Sequence, residues 1–342
     1  MISYILRPIK LTDLNDLKAL TQAMDASIAS LPNDKNILQQ RIELSLQSFA
    51  KKIKTPGKEY YLFALEYIPL KKIVGVSGIS ARIGEGTYFF AYERQKEIFE
   101  HCPLNVSKTV EVLKLKKIKK GPSELCSLYL SPQFRVHGLG SLLSLSRYLF
   151  INTFPDRFDT ELIADMKGYR DKDGNSPFWE AIGDVFFGGS LSTVDTMKSL
   201  GHKSFIRDLM PRHPIYIPLL PLKAQEAIGE VHTASKPALH LLEKQGFKTG
   251  KWFDIFDAGP YATAKRKDIN LIKNIRHATV SQIAQANKEV SFKPFLIAND
   301  SLDFKVCTGN LSKHPNDTAT IDVNIAQALN LKEGSSISYV KH

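Results

Sequence analysis

One stretch with the order strand, glycine turn, helix limits the possible folds of this chain more than any other feature. Glu124–Leu130 reads as a strand that Pro132 ends, and Gly138–Thr153 carries leucines at helical spacing. Between them, residues 134–140 read FRVHGLG, which contains the pattern R-x-x-G-x-G. Glycines let a ligand come close to the backbone, and the N–H groups of a helix N-terminus suit a pyrophosphate. The pattern therefore predicts an α/β unit with an anion site at its turn.

The glycine pattern differs from two common phosphate-binding motifs. A dinucleotide fingerprint needs G-x-G-x-x-G with an acidic residue about 20 positions later, and a P-loop needs G-K-[ST]. Residues 134–140 fit neither motif. From these residues alone two interpretations stay open: a cofactor loop, or a tight strand-to-helix turn that needs glycine only for its shape.

Strand and helix patterns alternate through the first 179 or so residues. Ile2–Arg7 reads as a strand, and an amphipathic helical pattern opens at Asp13. Ile37–Ile53 reads as a second amphipathic helix. Two apolar runs separated by a short turn read as paired strands, namely Tyr60–Tyr67 and Lys72–Ser80. The pattern predicts a mixed α/β fold.

The later part of the chain repeats one short unit and then becomes strand-like. Ser176–Phe187 and Lys236–Phe247 read as short helices that end at Gly183 and Gly246, because glycine readily takes the left-handed conformation that stops a helix. The similarity of the two units hints at an internal duplication. From about residue 262 onward, alternating segments predict a small β-rich region.

Composition narrows the class of protein. The chain has 342 residues, 43% of them hydrophobic, which is enough to bury an ordinary core. Its three cysteines are widely spaced without a CxxC pair, so neither a disulfide framework nor a zinc cluster is expected, and we see no metal constellation. The N-terminus lacks a secretory pattern and no run of about 18 apolar residues occurs. These features predict a cytoplasmic protein without membrane contact.

The net charge of +11 requires an anionic partner or a solvated basic face. Five lysines form the densest basic stretch: Lys114, Lys116, Lys117, Lys119 and Lys120. No aromatic residues interleave with them and no nucleic-acid motif accompanies them, so a solvated hairpin is favoured and no nucleic-acid partner is expected. A polyphosphate cofactor would also suit a basic protein.

In its strand–turn–helix context, the glycine segment resembles the acyl-CoA pyrophosphate loop of the GNAT superfamily. The resemblance implies a GNAT-like acyltransferase fold in which the preceding strand splays from its neighbour, and the amide at Leu128 would bind the thioester carbonyl. The loop residues that would hold the CoA pyrophosphate are Arg135, Val136, His137, Gly138, Leu139 and Gly140.

A wider set of segments resembles the arginine N-succinyltransferase family of bacterial arginine catabolism. They occur in the family's order with family-like spacings: Ser123–Leu130, Asp173–Trp179, Leu209–Tyr216, Ile228–His232, Glu243–Phe247 and Ile255–Pro260. The resemblance implies transfer of a succinyl group from succinyl-CoA to the α-amine of L-arginine, giving N2-succinylarginine and CoA. It also implies three parts: a GNAT-like acyl-CoA-binding domain over residues 1–187, a second GNAT-like half over residues 188–261 that completes the active site, and the β-rich region over residues 262–342.

Two departures from the family pattern bear on the acceptor. The family's glycine-rich stretch is here Met24–Ala29, and its Glu-Met-Arg-Gly is here Asp165-Met166-Lys167-Gly168. If either stretch lines the acceptor pocket, another amine such as ornithine becomes the alternative substrate. A different GNAT-type N-acyltransferase and a non-catalytic subunit that binds CoA or an amino acid also stay open, and paired-subunit relatives imply a homo- or hetero-oligomer.

The candidate site residues follow from the proton and charge requirements of amine acylation. The attacking amine must lose a proton and the leaving thiolate must gain one, which suits histidine. The resemblance assigns the proton donor to His232; the alternative is a histidine that only caps a helix. A guanidinium acceptor calls for carboxylates; Glu124, Asp165, Asp254 and Asp257 are available, and Glu124, Asp165 and Asp257 are the candidates. We expect direct transfer, since Cys126 reads as a buried strand residue rather than a nucleophile.

Overall fold

A computed structural model describes residues 2–23, 31–135, 138–191, 193–194, 208–211, 213–285 and 294–341. The helices are α1 (Leu14–Gln22), α2 (Lys35–Ala50), α3 (Leu139–Thr153), α4 (Asp184–Phe187), α5 (Leu222–Ala227), α6 (Lys236–Lys244), α7 (Asn270–Asn274) and α8 (Val323–Leu329). The strands of the first half are β1 (Tyr4–Pro8), β2 (Tyr60–Tyr67), β3 (Lys72–Ser80), β4 (Phe89–His101), β5 (Val106–Ile118), β6 (Ser123–Leu130) and β7 (Glu161–Asp165). The remaining strands are β8 (Ile215–Tyr216), β9 (Trp252–Phe253), β10 (Tyr261–Lys265), β11 (Arg276–Ala284), β12 (Phe295–Asn299), β13 (Val306–Gly309), β14 (Leu311–His314), β15 (Thr318–Asp322) and β16 (Ser336–Lys341).

A 12-stranded sheet runs through the described chain in the order β10-β7-β6-β3-β2-β1-β13-β12-β16-β11-β15-β14. Its N-terminal and C-terminal strands meet where β1 pairs antiparallel with β13, with Leu6 opposite Val306. The expected mixed α/β fold with a β-rich C-terminal region is confirmed. The boundaries at residues 187 and 261, and the second GNAT-like half between them, stay predictions.

Helices α1 and α2 cover one face of this sheet because their apolar residues recur at helical spacing. Leu17 and Leu20 of α1 are buried, as are Leu38 and Ile42 of α2. The carboxylate of Asp34 caps α2 by accepting a hydrogen bond from the N–H of Ile37 at 2.9 Å. The predicted helices over this part of the chain are confirmed.

Helix α3 lies in the middle of the molecule and is buried around most of its circumference. Leu143 of the helix and Leu130 of β6 both pack closely on Gly75 of β3. On another side of the helix, the ring of Tyr148 lies 6.3 Å from the ring of Phe247. The helix also contacts β12, β13 and β16 of the C-terminal region. It therefore connects the two halves of the large sheet.

A second sheet of four strands has the order β8-β5-β4-β9. Its long β4–β5 hairpin carries most of the lysine-rich stretch, and Lys114 and Lys116 lie 3.1 Å from Glu97 and Glu93. The predicted lysine-rich hairpin is confirmed. Such partly exposed pairs contribute little stability.

One predicted helix end is correct and the other is wrong. Gly246 follows α6 with a φ of 93°, as expected for a glycine that ends a helix. Gly183 instead lies inside a π-helical turn, Trp179–Gly183, that runs directly into α4. A Cβ on Gly183 would lie 2.1 Å from the ring of Trp179, so this glycine is needed for packing rather than for a stop. The stop is Gly188, with a φ of 62°.

Candidate active site

Strand β6 has a bulge in its middle. On β3, Val76 is opposite Tyr129 and Gly78 is opposite Cys126, so two residues of β6, Ser127 and Leu128, face a single residue of β3. Ser127 takes a φ of 54°, a conformation that costs a non-glycine residue energy and is often kept at functional sites. A bulge of this kind turns the following backbone groups away from the regular ladder. The backbone groups of Leu128 are therefore turned away from the ladder between β6 and β3.

The same strand separates from its other neighbour. Strands β6 and β7 run parallel but pair only at Ser123–Leu162 and Glu124–Ile163, whereas β6 continues to Leu130. Beyond Glu124 the pairing of the two strands stops, and we call the unpaired region beside the half of β6 that holds the bulge the gap. Leu128 lies beside the gap, and its predicted contact with a thioester carbonyl stays a prediction.

The glycine turn follows β6 directly. A short 3-10 turn leads to Arg135, whose Nε donates to the carbonyl oxygen of Leu130 at 3.0 Å and whose guanidinium lies 5.8 Å from the ring centre of Tyr129. Gly138 takes a φ of 78° as the residue that begins α3. Val136 and His137, the other predicted loop residues, lie outside the described residues.

The N-terminus of α3 is open to a ligand. Gly138 begins the helix without a side chain to cap it, and the first backbone bond of the helix runs from the N–H of Leu142 to the carbonyl oxygen of Gly138. A Cβ built on Gly140 meets no atom within 4 Å. Because the first N–H groups of a helix carry partial positive charge, this end suits an anion that approaches the backbone closely. Leu139 itself is buried in the core.

His232 lies at the end of β7. Its N–H donates to the carbonyl oxygen of Lys167 at 2.9 Å, and the N–H of Tyr169 donates to the carbonyl oxygen of Glu230 at 3.0 Å. These two bonds make a short antiparallel pairing, with Gly168 opposite Val231. Since β6 and β7 are parallel, the segment after β7 lies at the open end of the gap. The half-buried His232 is thus held there by backbone bonds.

The imidazole of His232 also caps the turn that it begins. Its Nδ1 accepts a hydrogen bond from the N–H of Ala234 at 3.2 Å. An imidazole nitrogen that accepts this bond carries no proton, so the proton of the neutral ring lies on Nε2. The capping contact is therefore present, and a catalytic role for His232 stays a prediction.

A buried tyrosine marks where the candidate carboxylates gather. Tyr261, the first residue of β10, pairs with Asp165 at the end of β7, and its hydroxyl donates to Asp254 Oδ2 at 3.3 Å. Burial raises the pKa of Tyr261 well above its usual value. Four carboxylates raise this pKa further, in decreasing order of effect Asp165, Asp254, Glu124 and Asp257. The site is electronegative, as a guanidinium acceptor requires.

The four carboxylates differ in their surroundings. Asp165 is exposed and Glu124 is half-buried, whereas Asp254 and Asp257 are buried. The oxygens of Asp257 accept from the N–H groups of Gly168 and Gly259 at 3.0 and 2.8 Å. Asp257 thereby fixes the segment that pairs with His232. Its predicted contact with substrate stays a prediction.

Cys126 lies next to the bulge without the features of a nucleophile. Burial raises the pKa of its thiol to about 12, and the charge of Glu124 adds to this effect. A thiol needs to ionise to attack a thioester, and this one stays protonated at neutral pH. The expected direct transfer therefore fits the environment of Cys126. Among the described residues no group of three or more metal-ligating side chains occurs.

Sequence reasoning missed two features of this site. Tyr261 was not predicted, because its role depends on the register between β7 and β10, which no local pattern encodes. The bulge at Ser127 was also missed, although the placement of Leu128 was proposed. A serine in the left-handed conformation carries no signal that a sequence pattern shows.

A splayed, bulged strand followed by a glycine turn and a central helix is the arrangement that the resemblance to GNAT acyltransferases implied. Within the described residues, no helix is both long and apolar enough to cross a membrane. The family model "Arginine N-succinyltransferase beta subunit" matches residues 4–271, and the model for the C-terminal domain of the same subunit matches residues 276–341. The chain belongs to this arginine N-succinyltransferase family.

Individual relatives agree with the family model. The chain is 34% identical to arginine N-succinyltransferase of Photorhabdus laumondii, over 98% of this chain and 97% of the relative. It is 36% identical to the enzyme of the same name from an Enterobacter species, over 87% of this chain and 86% of the relative. The solved structure of arginine/ornithine succinyltransferase subunit AI from Pseudomonas aeruginosa superposes with a TM-score of 0.89 at 31% identity, covering 100% of this chain and 99% of that one.

Proposed function

We propose that this protein transfers the succinyl group of succinyl-CoA to the α-amine of L-arginine, giving N2-succinyl-L-arginine and CoA in arginine catabolism. One observation carries the proposal: strand β6 bears Glu124 of the carboxylate cluster around Tyr261, then the bulge, and then leads through the glycine turn to the open N-terminus of α3. The bulge and the helix N-terminus suit a CoA thioester, and the carboxylates suit a guanidinium. Family membership supplies the pairing of these two substrates.

The donor half of the site is built from the loop and the bulge. Arg135, Gly138 and Gly140 with the N-terminus of α3 hold the pyrophosphate, and Val136 and His137 complete the loop in the sequence. The thioester carbonyl then reaches the re-aimed amide at Leu128. As the amine attacks, negative charge develops on this carbonyl oxygen, and a fixed N–H donor stabilises it.

The acceptor half lies across the gap. Asp165, exposed beside Tyr261, and Glu124, half-buried on β6, offer carboxylates to the guanidinium, while Asp254 and Asp257 hold the surrounding loops. Arginine bound in this way presents its α-amine toward the bulge of β6. Such positioning converts a bimolecular acylation into a reaction within one complex.

Proton transfer completes the reaction. The amine loses a proton to a carboxylate such as Glu124 or to water, and the new C–N bond forms as the C–S bond to CoA breaks. His232 stands at the open end of the gap, with Nε2 as the atom that carries the proton of its neutral ring. We assign His232 to donating a proton from Nε2 to the departing thiolate, in the imidazolium form that the ring takes when Nδ1 exchanges its bond to the N–H of Ala234 for the proton lost by the amine.

The test is a thiol-release assay with succinyl-CoA and L-arginine, with product mass as the second readout. We expect CoA and N2-succinylarginine in equal amounts. Release of CoA without acylated arginine would show that the protein only hydrolyses the thioester. No release with any acyl-CoA would favour a non-catalytic CoA-binding subunit.

L-Ornithine is the second candidate acceptor. The Pseudomonas aeruginosa relative is named an arginine/ornithine succinyltransferase, and the segment Asp165–Gly168 departs from the family pattern beside the acceptor carboxylates. The other departure, Met24–Ala29, lies outside the described residues. A panel of arginine, ornithine and lysine at equal concentration decides between the acceptors. A kcat/KM for ornithine above that for arginine would reassign the acceptor.

An oligomer in the cytoplasm is the setting we propose for this reaction. The family model describes a beta subunit, and the Pseudomonas aeruginosa relative is a subunit AI. Light scattering of the purified protein, alone and mixed with any co-purifying chain, measures the assembly. A monomer that turns over at full rate would contradict it.

A further inference from the structure

Three arginine side chains are buried in the described structure, and they differ in their partners. Arg7 is 6% exposed and bonds to the carboxylates of Asp13 and Glu66. Arg157 is also 6% exposed and donates to the backbone carbonyls of Ser48 and Lys51, and to a tyrosine hydroxyl. Each of these two guanidinium groups is satisfied by distant parts of the fold.

Arg147 of α3 is different. It is 2% exposed, and among the described residues its hydrogen bonds go to Ser144, one turn earlier: Nε to the carbonyl oxygen at 3.0 Å and Nη2 to the hydroxyl at 2.9 Å. The titratable groups whose charge acts on it are Tyr148 and Cys126, and neither is a carboxylate. Within the described part of the chain, Arg147 therefore has no counter-ion.

A buried cation without a counter-ion is costly. Burial lowers the pKa of Arg147, which expresses the penalty of keeping this charge away from water. An arginine nevertheless stays protonated. Folded proteins pair buried charges with opposite charges or with ligands. Arg147 thus has the properties of a buried cation whose charge an anionic ligand neutralises.

Arg147 lies on the face of α3 that starts at the proposed pyrophosphate end of the helix. Gly140, Ser144 and Arg147 share one face of α3 because they follow helical spacing. That face begins at Gly140, where a Cβ would meet no atom within 4 Å. Arg147 lies about 10 Å further along the helix axis, at 1.5 Å per residue. Arg147 also interacts electrostatically with Cys126, the residue that precedes the bulge.

We propose that Arg147 binds the terminal carboxylate of the succinyl group and thereby selects succinyl-CoA over acetyl-CoA. This inference rests on the proposed function, because it assigns the acyl-chain end of the same donor site. The pyrophosphate occupies the N-terminus of α3, two turns away from Arg147. The acceptor carboxylates gather around Tyr261 at the end of β7. Cys126, which interacts electrostatically with Arg147, precedes the bulge where the thioester carbonyl is placed.

The test compares Arg147→Met with the wild-type protein, using succinyl-CoA and acetyl-CoA as donors to arginine. We expect the ratio of the two kcat/KM values, succinyl over acetyl, to fall roughly 10- to 100-fold, the usual effect of losing a hydrogen-bonded charge. Arg147→Lys retains the charge but loses the two-pronged geometry, so its ratio should fall between the other two. An unchanged ratio in Arg147→Met would overturn the proposal.

Binding without turnover gives a second readout. Succinyl-CoA should raise the Tm of the wild-type protein more than CoA does, and this difference should vanish in Arg147→Met. If Arg147→Met binds CoA and succinyl-CoA equally more weakly, Arg147 contacts the CoA phosphates. If only the KM for arginine rises, Arg147 binds the carboxylate of the arginine substrate. Either result overturns the proposal. Absence of turnover in the wild type would refute the proposed function, while the Tm comparison would still decide the role of Arg147.

Arg157→Met is the matched control. It removes a guanidinium of similar burial whose three partners belong to the fold. It should lower the Tm of the free protein and leave the donor ratio unchanged. Arg147→Met should leave the Tm of the free protein unchanged or raise it, because an apolar side chain removes an uncompensated buried charge. An Arg147→Met protein that fails to fold would contradict the premise that this charge is uncompensated.

Discussion

Asp257 accepts a hydrogen bond from the N–H of Gly168 at 3.0 Å, and this bond joins two segments that lie 89 residues apart in the chain. Its other oxygen accepts from the N–H of Gly259 at 2.8 Å. The same Gly168 segment pairs with Val231 and His232. A single carboxylate therefore controls where the candidate proton donor stands.

Replacing Asp257 should destabilise the fold and disturb the site together. Asp257→Ala leaves two buried N–H groups unpaired, so we expect the free energy of unfolding to fall by about 1–3 kcal/mol for each. Asp257→Asn keeps one acceptor oxygen and should lose less. Urea unfolding measures both. Asp303→Ala, which removes an exposed carboxylate paired with Lys305, is the control and should change stability by less than about 1 kcal/mol.

Gly140→Val should separate ligand binding from folding. A Cβ at this position meets no atom of the described residues within 4 Å, so the Tm of the free protein should stay near that of wild type. The added carbons lie where the CoA pyrophosphate approaches, so stabilisation by CoA should be lost. Gly138→Val, at a φ of 78°, should also lower the Tm of the free protein.

Differential scanning fluorimetry with and without CoA measures these shifts. Ser141→Ala, at the next position of the helix and on another side of it, should keep the full response to CoA. If CoA raises the Tm of Gly140→Val as much as that of wild type, the pyrophosphate does not bind at this loop.

His232→Asn should preserve the cap and remove the proton donor. Asparagine caps helices well, so the turn that begins at residue 232 should survive, whereas His232→Ala should cost about 1 kcal/mol. Both variants should lose about 10²–10⁴-fold in kcat while CoA still binds. The pH–rate profile should also lose a limb, since neither replacement titrates near neutrality. The exposed His240 provides the control, and His240→Ala should match wild type.

The two His232 variants together decide the role. Full turnover in His232→Asn with loss of stability in His232→Ala would make this histidine a cap and nothing more. The proton donor would then be sought among the carboxylates or water.

Asp165→Asn should weaken binding of the acceptor, arginine, and leave binding of the donor, succinyl-CoA, unchanged. Asp165 has the largest effect among the carboxylates that raise the pKa of Tyr261, and it is exposed to an entering substrate. Removing a charged partner of a guanidinium should raise the KM for arginine roughly 10-fold or more. The KM for succinyl-CoA should not change. Initial rates with each substrate varied in turn measure both constants, and Asp156→Asn, an exposed carboxylate in a short turn elsewhere, serves as control.

Cys126→Ser should retain turnover. The thiol has a pKa of about 12, so at pH 8 almost none of it is ionised, and the thiolate fraction should rise only as the pH approaches that value. The exposed Cys102 should react with iodoacetamide first. Peptide mass mapping after alkylation, together with rates of the variant, tests this. Detection of a succinylated Cys126 during turnover would contradict direct transfer.

Patterns that depend on neighbouring residues were predictable from the sequence. Strands β2 and β3 begin and end where their apolar runs do, and the glycine turn lies between β6 and α3 as predicted. Such elements follow from side-chain periodicity and from proline or glycine at their ends.

Features that depend on contacts between distant segments were not predictable. Gly183 packs under Trp179. When only the sequence is read, such a glycine cannot be distinguished from one that ends a helix. Tyr261 acquires its carboxylate neighbours only when β10 pairs with β7. Arg147 looks like an ordinary helical arginine until the sheet and the C-terminal region bury it. Each of these depends on the tertiary register.

The pairing of β1 with β13 has a consequence for shortened forms of the chain. The two family models meet between residues 271 and 276, which suggests a natural place to cut. A chain that ended there would lack β13, and β1 would become an edge strand with a row of unpaired backbone groups. Such edges recruit strands from other molecules. By covering the edge of β1, the C-terminal region therefore protects the half that carries the acyl-CoA loop from aggregation.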